Sequence, residues 1–183
     1  MKAIFLDRDG VINRDPGNDD YIKSWKEFEF MPGAIDAIKK LNANGCEIFV
    51  ISNQAGVAKG LYSQDALDEI TKNMLSEIEK QGGRIRSVSY CTHNTDAGCD
   101  CRKPKIGMIE NATKGFDIDF KSAYFIGDSW RDIEAGKNIG CRTVLLLTGK
   151  EKKEDIKNWT VKPDCVKNDL KGAVEWVLKQ GQK

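Results

Sequence analysis

Short apolar runs alternate along this chain with stretches whose apolar residues recur every three or four positions. The runs that read as strands are residues 3–6, 47–51, 87–90, 123–126 and 143–147, with a short last one at 165–166. Helical spacing fills the gaps between them. Pro32-Gly33 opens one helix that runs through Leu41 and is closed by Asn44-Gly45. Ser63 caps a second, whose Leu67, Ile70, Met74 and Ile78 make one buried face. A third follows Pro104 and ends near Gly115. A fourth follows Asp128, with Ile133 and Ala135 turned inward and Gly140 as its stop. The last covers residues 169–179 and turns Leu170, Val174, Val177 and Leu178 to the sheet. Strands alternating with helices in this way predict an α/β fold with a mainly parallel sheet, built as one domain over 1–183.

Two segments stand outside the pattern. Residues 14–30 lack periodicity and carry Tyr21, Trp25, Phe28 and Phe30 among charges. They suit a mobile flap over a site or an irregular surface loop pinned by its aromatics, and the pattern favours neither. Residues 150–158 mix Lys with Glu and Asp and read as solvated surface.

Charge narrows the function. With 29 basic and 28 acidic residues the net charge is +1, so no whole-molecule field draws the chain to nucleic acid. The longest apolar runs, Ile48-Phe49-Val50-Ile51 and Val144-Leu145-Leu146-Leu147, are far too short to cross a bilayer. The start Met1-Lys2-Ala3 leads directly into a strand and leaves no room for a signal peptide. These features predict a cytoplasmic protein without a membrane or nucleic-acid partner. A monomer is the default for one domain. The six cysteines then read as thiols or metal ligands before disulfides.

The candidate chemistry lies where strands end. The first strand runs into Asp7-Arg8-Asp9-Gly10, and two carboxylates there repel unless a cation or a proton lies between them. A plain Asp-Gly turn is the bland alternative. Ser52-Asn53-Gln54 follows the second strand, Arg102-Lys103 precedes a helix, and Gly127-Asp128-Ser129 follows the fourth strand, with Asp132 beyond. In a parallel sheet the carboxyl ends of all strands share one edge, where ligands bind. Asp7, Asp9, Ser52, Lys103 and Asp128 therefore converge. They supply a nucleophile, a proton donor, charge-neutralising groups and carboxylates for Mg²⁺, the parts that phosphoryl transfer uses.

A second cluster is Cys91-x-His93 followed by Cys99-x-Cys101, which contains the single histidine of the chain. Three thiolates and one imidazole form a closed tetrahedral zinc set with no open position, so the metal is structural. A metal-free reduced loop or a redox pair is the alternative. Cys46, Cys141 and Cys165 lie in or beside strands and read as small core residues.

In this order Asp7-x-Asp9-Gly10, Ser52-Asn53, Lys103-Pro104 and Gly127-Asp128 resemble the four motifs of the haloacid dehalogenase (HAD) superfamily. Asp9 resembles the aspartate that marks its phosphotransferases. Within that group, Phe5-Leu6-Asp7-Arg8-Asp9-Gly10-Val11-Ile12-Asn13, Ser52-Asn53-Gln54-Ala55-Gly56-Val57-Ala58 and Cys99-Asp100-Cys101-Arg102-Lys103-Pro104 are similar to the D-glycero-D-manno-heptose 1,7-bisphosphate phosphatases and the related histidinol-phosphate phosphatases. The resemblance covers residues 3 to about 149. It implies a HAD-like, Rossmann-type three-layer sandwich with a minimal cap and a zinc-binding loop.

It also implies roles. Asp7 matches the nucleophile that forms an aspartyl-phosphate, and Asp9 the general acid and base. Ser52 and Lys103 match the groups that bind the transferring phosphoryl oxygens. Mg²⁺ is held by Asp7, the Asp9 carbonyl and Asp128, and structural Zn²⁺ by Cys91, His93, Cys99 and Cys101. Substrate contacts fall to Asp15, Gly17, Asn18, Asn53, Gln54, Arg102 and Ser129, and a guanidinium such as Arg102 can grip a second phosphate. The implied substrate is a small phosphorylated sugar, heptose 1,7-bisphosphate, with histidinol phosphate the nearest rival and a polynucleotide-end phosphate further away. The chain departs from the family twice. The spacer between His93 and Cys99 is shorter, and the Tyr21-Ile22 pair falls about three residues late, as though Asn18-Asp19-Asp20 were added.

Overall fold

A computed structural model describes residues 1–17, 20–149 and 151–180. Its centre is a sheet of six parallel strands, β1 (Lys2–Leu6), β2 (Cys46–Asn53), β3 (Ser87–Cys91), β4 (Tyr124–Gly127), β5 (Arg142–Leu146) and β6 (Cys165–Lys167), in the order β3-β2-β1-β4-β5-β6. Strand order reverses at β1, which pairs with β2 on one side and β4 on the other. That reversal opens a crevice at the carboxyl end of β1. Residues 3–6 are wholly buried because helices cover both faces.

The helices are α1 (Ala34–Ala43), α2 (Gln64–Lys80), α3 (Gly107–Thr113), α4 (Trp130–Asn138) and α5 (Leu170–Gln180). One face of the sheet packs α1, α2 and α5 through Ile38, Leu41, Ile70, Met74, Val174 and Val177 onto Ile4, Leu6, Ile48 and Val50. The opposite face carries Phe5, Phe49 and Phe125 against Met108 and Ile109 of α3 and Ala135 of α4. Alternation along β1 sends Ile4 and Leu6 to one core and Phe5 to the other.

Expected elements are present with shifted ends. Ser63 Oγ accepts from Ala66 N and starts α2, as its position suggested, and the four expected apolar residues form its buried face. The N-cap of α1 is Gly33 at φ 73°, so Pro32 stands before the cap rather than at the first helical position. Helix α3 begins only at Gly107, because the chain after Lys103 first turns back to bond Asp100 and Asn138. Cys46 and Cys141 are core residues, while Cys165 is half-buried at the edge of the sheet.

The aromatics of residues 14–30 pin that segment. Phe28 stacks on Trp25 at 4.9 Å and meets Phe30 edge-on at 5.0 Å, around a short 3-10 turn at Trp25–Glu27. Ile22 and Phe28 are buried against the main core. Only its first part, up to Tyr21, reaches over the crevice. Asn18 and Asp19 lie outside the described residues. The acidic stretch after residue 150 is not uniformly solvated, since Glu151 is half-buried at the crevice. Among the described residues no helix is long and apolar enough to cross a membrane.

Candidate active site

Each strand end at the crevice delivers one part of the site. Asp7 follows β1, Ser52 and Asn53 end β2, Asp128 follows β4, and Lys103 comes from the loop after β3. Together with Asp9, Asp15, Arg102 and Ser129 they line one open cleft of about 430 Å³. Nine of the residues singled out from sequence thus share a single cavity.

Lys103 is buried and organises the acids. Its Nζ lies 2.9 Å from Asp7 Oδ1 and 2.5 Å from Asp132 Oδ1, and it donates to the Ile51 carbonyl at 2.8 Å. Its backbone is clamped to Asn53, which accepts from Lys103 N at 3.1 Å and donates to Lys103 O at 3.1 Å. Burial opposes the charge on Lys103, but Asp132 and Asp7 outweigh it and raise its proton affinity above that of an ordinary lysine. Asp132 also accepts from Ser129 N and Oγ, closing a capping box at the start of α4.

The acids themselves are held uncomfortably. Burial lifts the pKa of Asp7 to about 6; Lys103 opposes the rise, Asp132 and Asp9 add to it, and the Ser52 hydroxyl favours the carboxylate. Asp128 is raised well above the ordinary carboxylate range by burial and by Asp7 and Asp132. Gly10, at φ 78°, and Gly149 both pass so close to the Asp128 carboxylate that any Cβ there collides with it. Both positions therefore require glycine. Oxygens of Asp7, Asp128 and Asp132 all lie within 4.8 Å of one another. Hard carboxylate oxygens crowded together and repelling fit a Mg²⁺ ion.

Asp9 is arranged differently from the expected charge pair. It turns away from Asp7 and meets Arg8, whose guanidinium contacts both carboxylate oxygens at 2.9 and 3.2 Å. Asn13 Nδ2 and Gln54 Nε2 add bonds at 2.8 and 2.7 Å. Each acid thus has its own buried cation, Lys103 for Asp7 and Arg8, with no exposed surface, for Asp9. Arg8 lies over the Tyr90 ring at 5.6 Å and is held charged by Asp9 against the cost of burial. Nothing in a DxD pattern marks the middle residue as buried, since Arg8 stands between two carboxylates in the sequence.

Two expected substrate contacts stand elsewhere. Gln54 is fully buried, accepts from Tyr62 OH at 2.6 Å and supports Asp9 instead of facing the cleft. Gly17 does not line the cleft; its N–H closes a turn onto Asp15 Oδ1 at 2.9 Å. Asn18 falls outside the described residues. Asp132, Lys59, Thr95, Arg131 and Glu151 had been given no role from sequence, and all but the buried Asp132 line the cleft.

The cysteine cluster closes around one point. Five of the six separations among Cys91 Sγ, His93 Nδ1, Cys99 Sγ and Cys101 Sγ run from 3.2 to 3.7 Å, and the whole set offers ligand atoms within 4.8 Å of one another. A tetrahedral Zn²⁺ with sulfur bonds of about 2.3 Å spaces its ligands by about 3.8 Å, so the set is compatible with zinc. Thr95 from this loop and Arg102 just after it both reach the cleft, despite the short spacer.

A reversed parallel sheet with these strand-end acids and a buried lysine is the architecture of a HAD-like hydrolase. A HAD-hydrolase-like family model matches residues 100–173. A D-glycero-beta-D-manno-heptose-1,7-bisphosphate 7-phosphatase of Pseudomonas putida is 41% identical over 82% of this chain and 85% of its own. A D-glycero-alpha-D-manno-heptose-1,7-bisphosphate 7-phosphatase of Campylobacter jejuni is 40% identical over 84% of this chain and 86% of its own. The solved D,D-heptose 1,7-bisphosphate phosphatase of B. bronchiseptica, complexed with magnesium and phosphate, superposes with a TM-score of 0.89 at 34% identity, covering 98% of this chain and 99% of its own. The chain belongs to the heptose-1,7-bisphosphate 7-phosphatase family of HAD-like phosphatases, enzymes that hydrolyse phosphate monoesters.

Proposed function

We propose that this protein removes the C7 phosphate of D-glycero-D-manno-heptose 1,7-bisphosphate and so serves nucleotide-activated heptose synthesis. The observation that carries the reading is the Asp7–Lys103–Asp132 chain, with Nζ 2.9 and 2.5 Å from the two acids, set beside Asp128 in an open cleft. Relatives that match most of the chain bear heptose bisphosphate names, which supports this substrate over histidinol phosphate.

Asp7 attacks phosphorus: its oxygen forms the new P–O bond while the bond to the C7 oxygen breaks, leaving an aspartyl-phosphate. Asp9 gives its proton to the departing sugar oxygen, then takes one from the water that hydrolyses the acyl phosphate. The Arg8, Asn13 and Gln54 bonds hold the Asp9 carboxylate in one orientation. Lys103 and Ser52 receive the phosphoryl oxygens as charge shifts onto them. Mg²⁺, held by Asp7, Asp128 and the Asp9 carbonyl, neutralises the phosphate and the crowded acids. Asp132 is committed to Lys103 and Ser129, and acts by positioning the lysine. Asn53, Arg102, Asp15 and Ser129 position the substrate.

Zn²⁺ on Cys91, His93, Cys99 and Cys101 is structural in this reading. It pins the loop that delivers Arg102 and Lys103. Thiolate ligands and unpaired cysteines suit the reducing cytoplasm, and one monomeric domain over 1–183 fits the cleft lying within a single sheet. Neither a nucleic acid nor a membrane is a partner, consistent with the net charge of +1. The test is kcat/KM on the α and β anomers of heptose 1,7-bisphosphate and on histidinol phosphate, with zinc measured in the same preparation. A heptose ester is expected to lead by at least about tenfold. A preference for histidinol phosphate overturns the substrate assignment.

A further inference from the structure

A bisphosphate carries a second phosphate that must be met away from Asp7, and the cleft offers four cations: Lys59, Arg102, Lys103 and Arg131. Lys103 is consumed by Asp7 and Asp132. Lys59 is exposed and tethered to Tyr21, donating to its hydroxyl at 3.2 Å and lying 5.3 Å over its ring. Arg102 adjoins the reacting Lys103 in the chain and has a buried Nη1 with no hydrogen-bond partner.

Arg131 differs from all three. It sits in the first turn of α4, after β4, whereas Arg102 follows β3. In the sheet order β1 lies between β3 and β4, so the two arginines enter the cleft from elements on opposite sides of β1. The Arg131 guanidinium lies 4.6 Å over the Trp130 ring. A cation–π contact of this kind holds the guanidinium beside the ring, and its N–H groups can still make a charge-assisted contact with a phosphate. Among the described residues no carboxylate stands within ion-pair distance of it. The acid it influences, Glu151, lines the same cleft. Asp20, another acid at the cleft, is matched by Lys23 at 2.8 Å. Arg131 is therefore a cleft cation without an ion-pair partner among the described residues, supplied from the β4 side of the sheet rather than from the loop after β3.

We propose that Arg131, held against the Trp130 ring, binds the phosphate that is not transferred and sets the preference for a bisphosphate over a monophosphate. This rests on the bisphosphatase reading above. Trp130 acts as a positioning residue through Arg131.

The experiment compares kcat/KM for heptose 1,7-bisphosphate with that for heptose 7-phosphate, which presents the same reacting group without the distal one. In the wild type the bisphosphate leads. Arg131→Ala lowers the ratio by about 10- to 100-fold, the range of one or two charge-assisted hydrogen bonds, and does so through KM. Arg131→Gln, which keeps a stem on Trp130, gives a similar fall, and Arg131→Lys restores part of the ratio. Arg102→Ala depresses both esters together. An unchanged ratio in Arg131→Ala and Arg131→Gln, or a larger change in Arg102→Ala, overturns the proposal while leaving the bisphosphatase reading intact. Equal rates on the two esters in the wild type overturn both.

Discussion

At the carboxyl ends of β1 and β4 the backbone forces like charges together, whereas in the loop between Cys91 and Cys101 little but the ligands themselves brings the cluster together. Asp7, Asp128 and Asp132 sit next to two buried strands and in the first turn of α4, and Lys103 already compensates part of their charge. Of the four soft ligands only Cys91 belongs to an element, as the last residue of β3; His93, Cys99 and Cys101 lie in irregular chain. The first centre is preorganised and waits for its ion. The second gathers its ligands from irregular chain into a set compatible with zinc. Electrostatic preorganisation of the first kind is what a charge-shifting reaction uses, while a closed set of the second kind suits a structural metal.

The comparison is most severely tested by removing the nucleophile. Asp7→Asn is expected to lower phosphatase turnover by at least about 10³-fold while leaving the melting temperature of the metal-free protein unchanged or higher, since a neutral side chain relieves the repulsion at that edge. Activity assays and thermal melts check both halves. A large loss of stability would mean that Asp7 also holds the fold.

Cys101→Ser probes the other centre. The protein is expected to lose its stoichiometric zinc by metal analysis and to lose activity by roughly 100-fold, because Arg102 and Lys103 follow the mutated ligand directly and a 1 Å displacement has that scale of effect. Full activity without zinc would show that Asn53 and Asp132 alone suffice to seat Lys103.

Gly149→Ala places a methyl group against the Asp128 carboxylate. The Mg²⁺ concentration for half-maximal rate should rise about tenfold, in line with overpacking at a rigid site. Zinc content should stay as it was, which separates the two centres.

The smallest effect is in pH. Asp7 holds its proton to about pH 6 in the folded chain against a reference near 3.8. The folded state therefore binds more protons across that interval. The metal-free protein gains stability as pH falls through it, and lacks that gain above about pH 6. Mg²⁺ must displace the proton, so the rise in melting temperature on adding Mg²⁺ should be largest above about pH 6 and shrink towards pH 4. Calorimetry at fixed ionic strength measures it. A rise independent of pH would place the ion away from Asp7.

Much of the molecule was legible in the chain. Alternation of apolar runs and helical faces marked every strand and helix of the sheet, because burial on both faces leaves a continuous apolar signature in β1 and β2. Strand-end motifs led to Asp7, Asp9, Ser52, Lys103 and Asp128, since a parallel sheet gathers those ends without further information. Gln54 was misplaced for a physical reason: a polar residue after a strand can point to solvent or inward, and only the positions of Asp9 and Tyr62 turn it inward. Residues 14–30 could be flap or pinned loop from composition; stacking of Trp25, Phe28 and Phe30 decided that most of it is pinned.

By itself, then, the sequence determined the element order, the strand-end acids and the four soft ligands, all of which depend on local periodicity or short spacing. Tertiary structure decided the partners of the charges: Arg8 on Asp9, Lys103 between Asp7 and Asp132, Arg131 against the Trp130 ring. Long-range ion pairs have no period and no fixed spacing. The partners of Asp7 and Asp132, far from Lys103 in the chain, are chosen when the sheet closes, because a buried charge must find a counter-charge wherever the fold brings one.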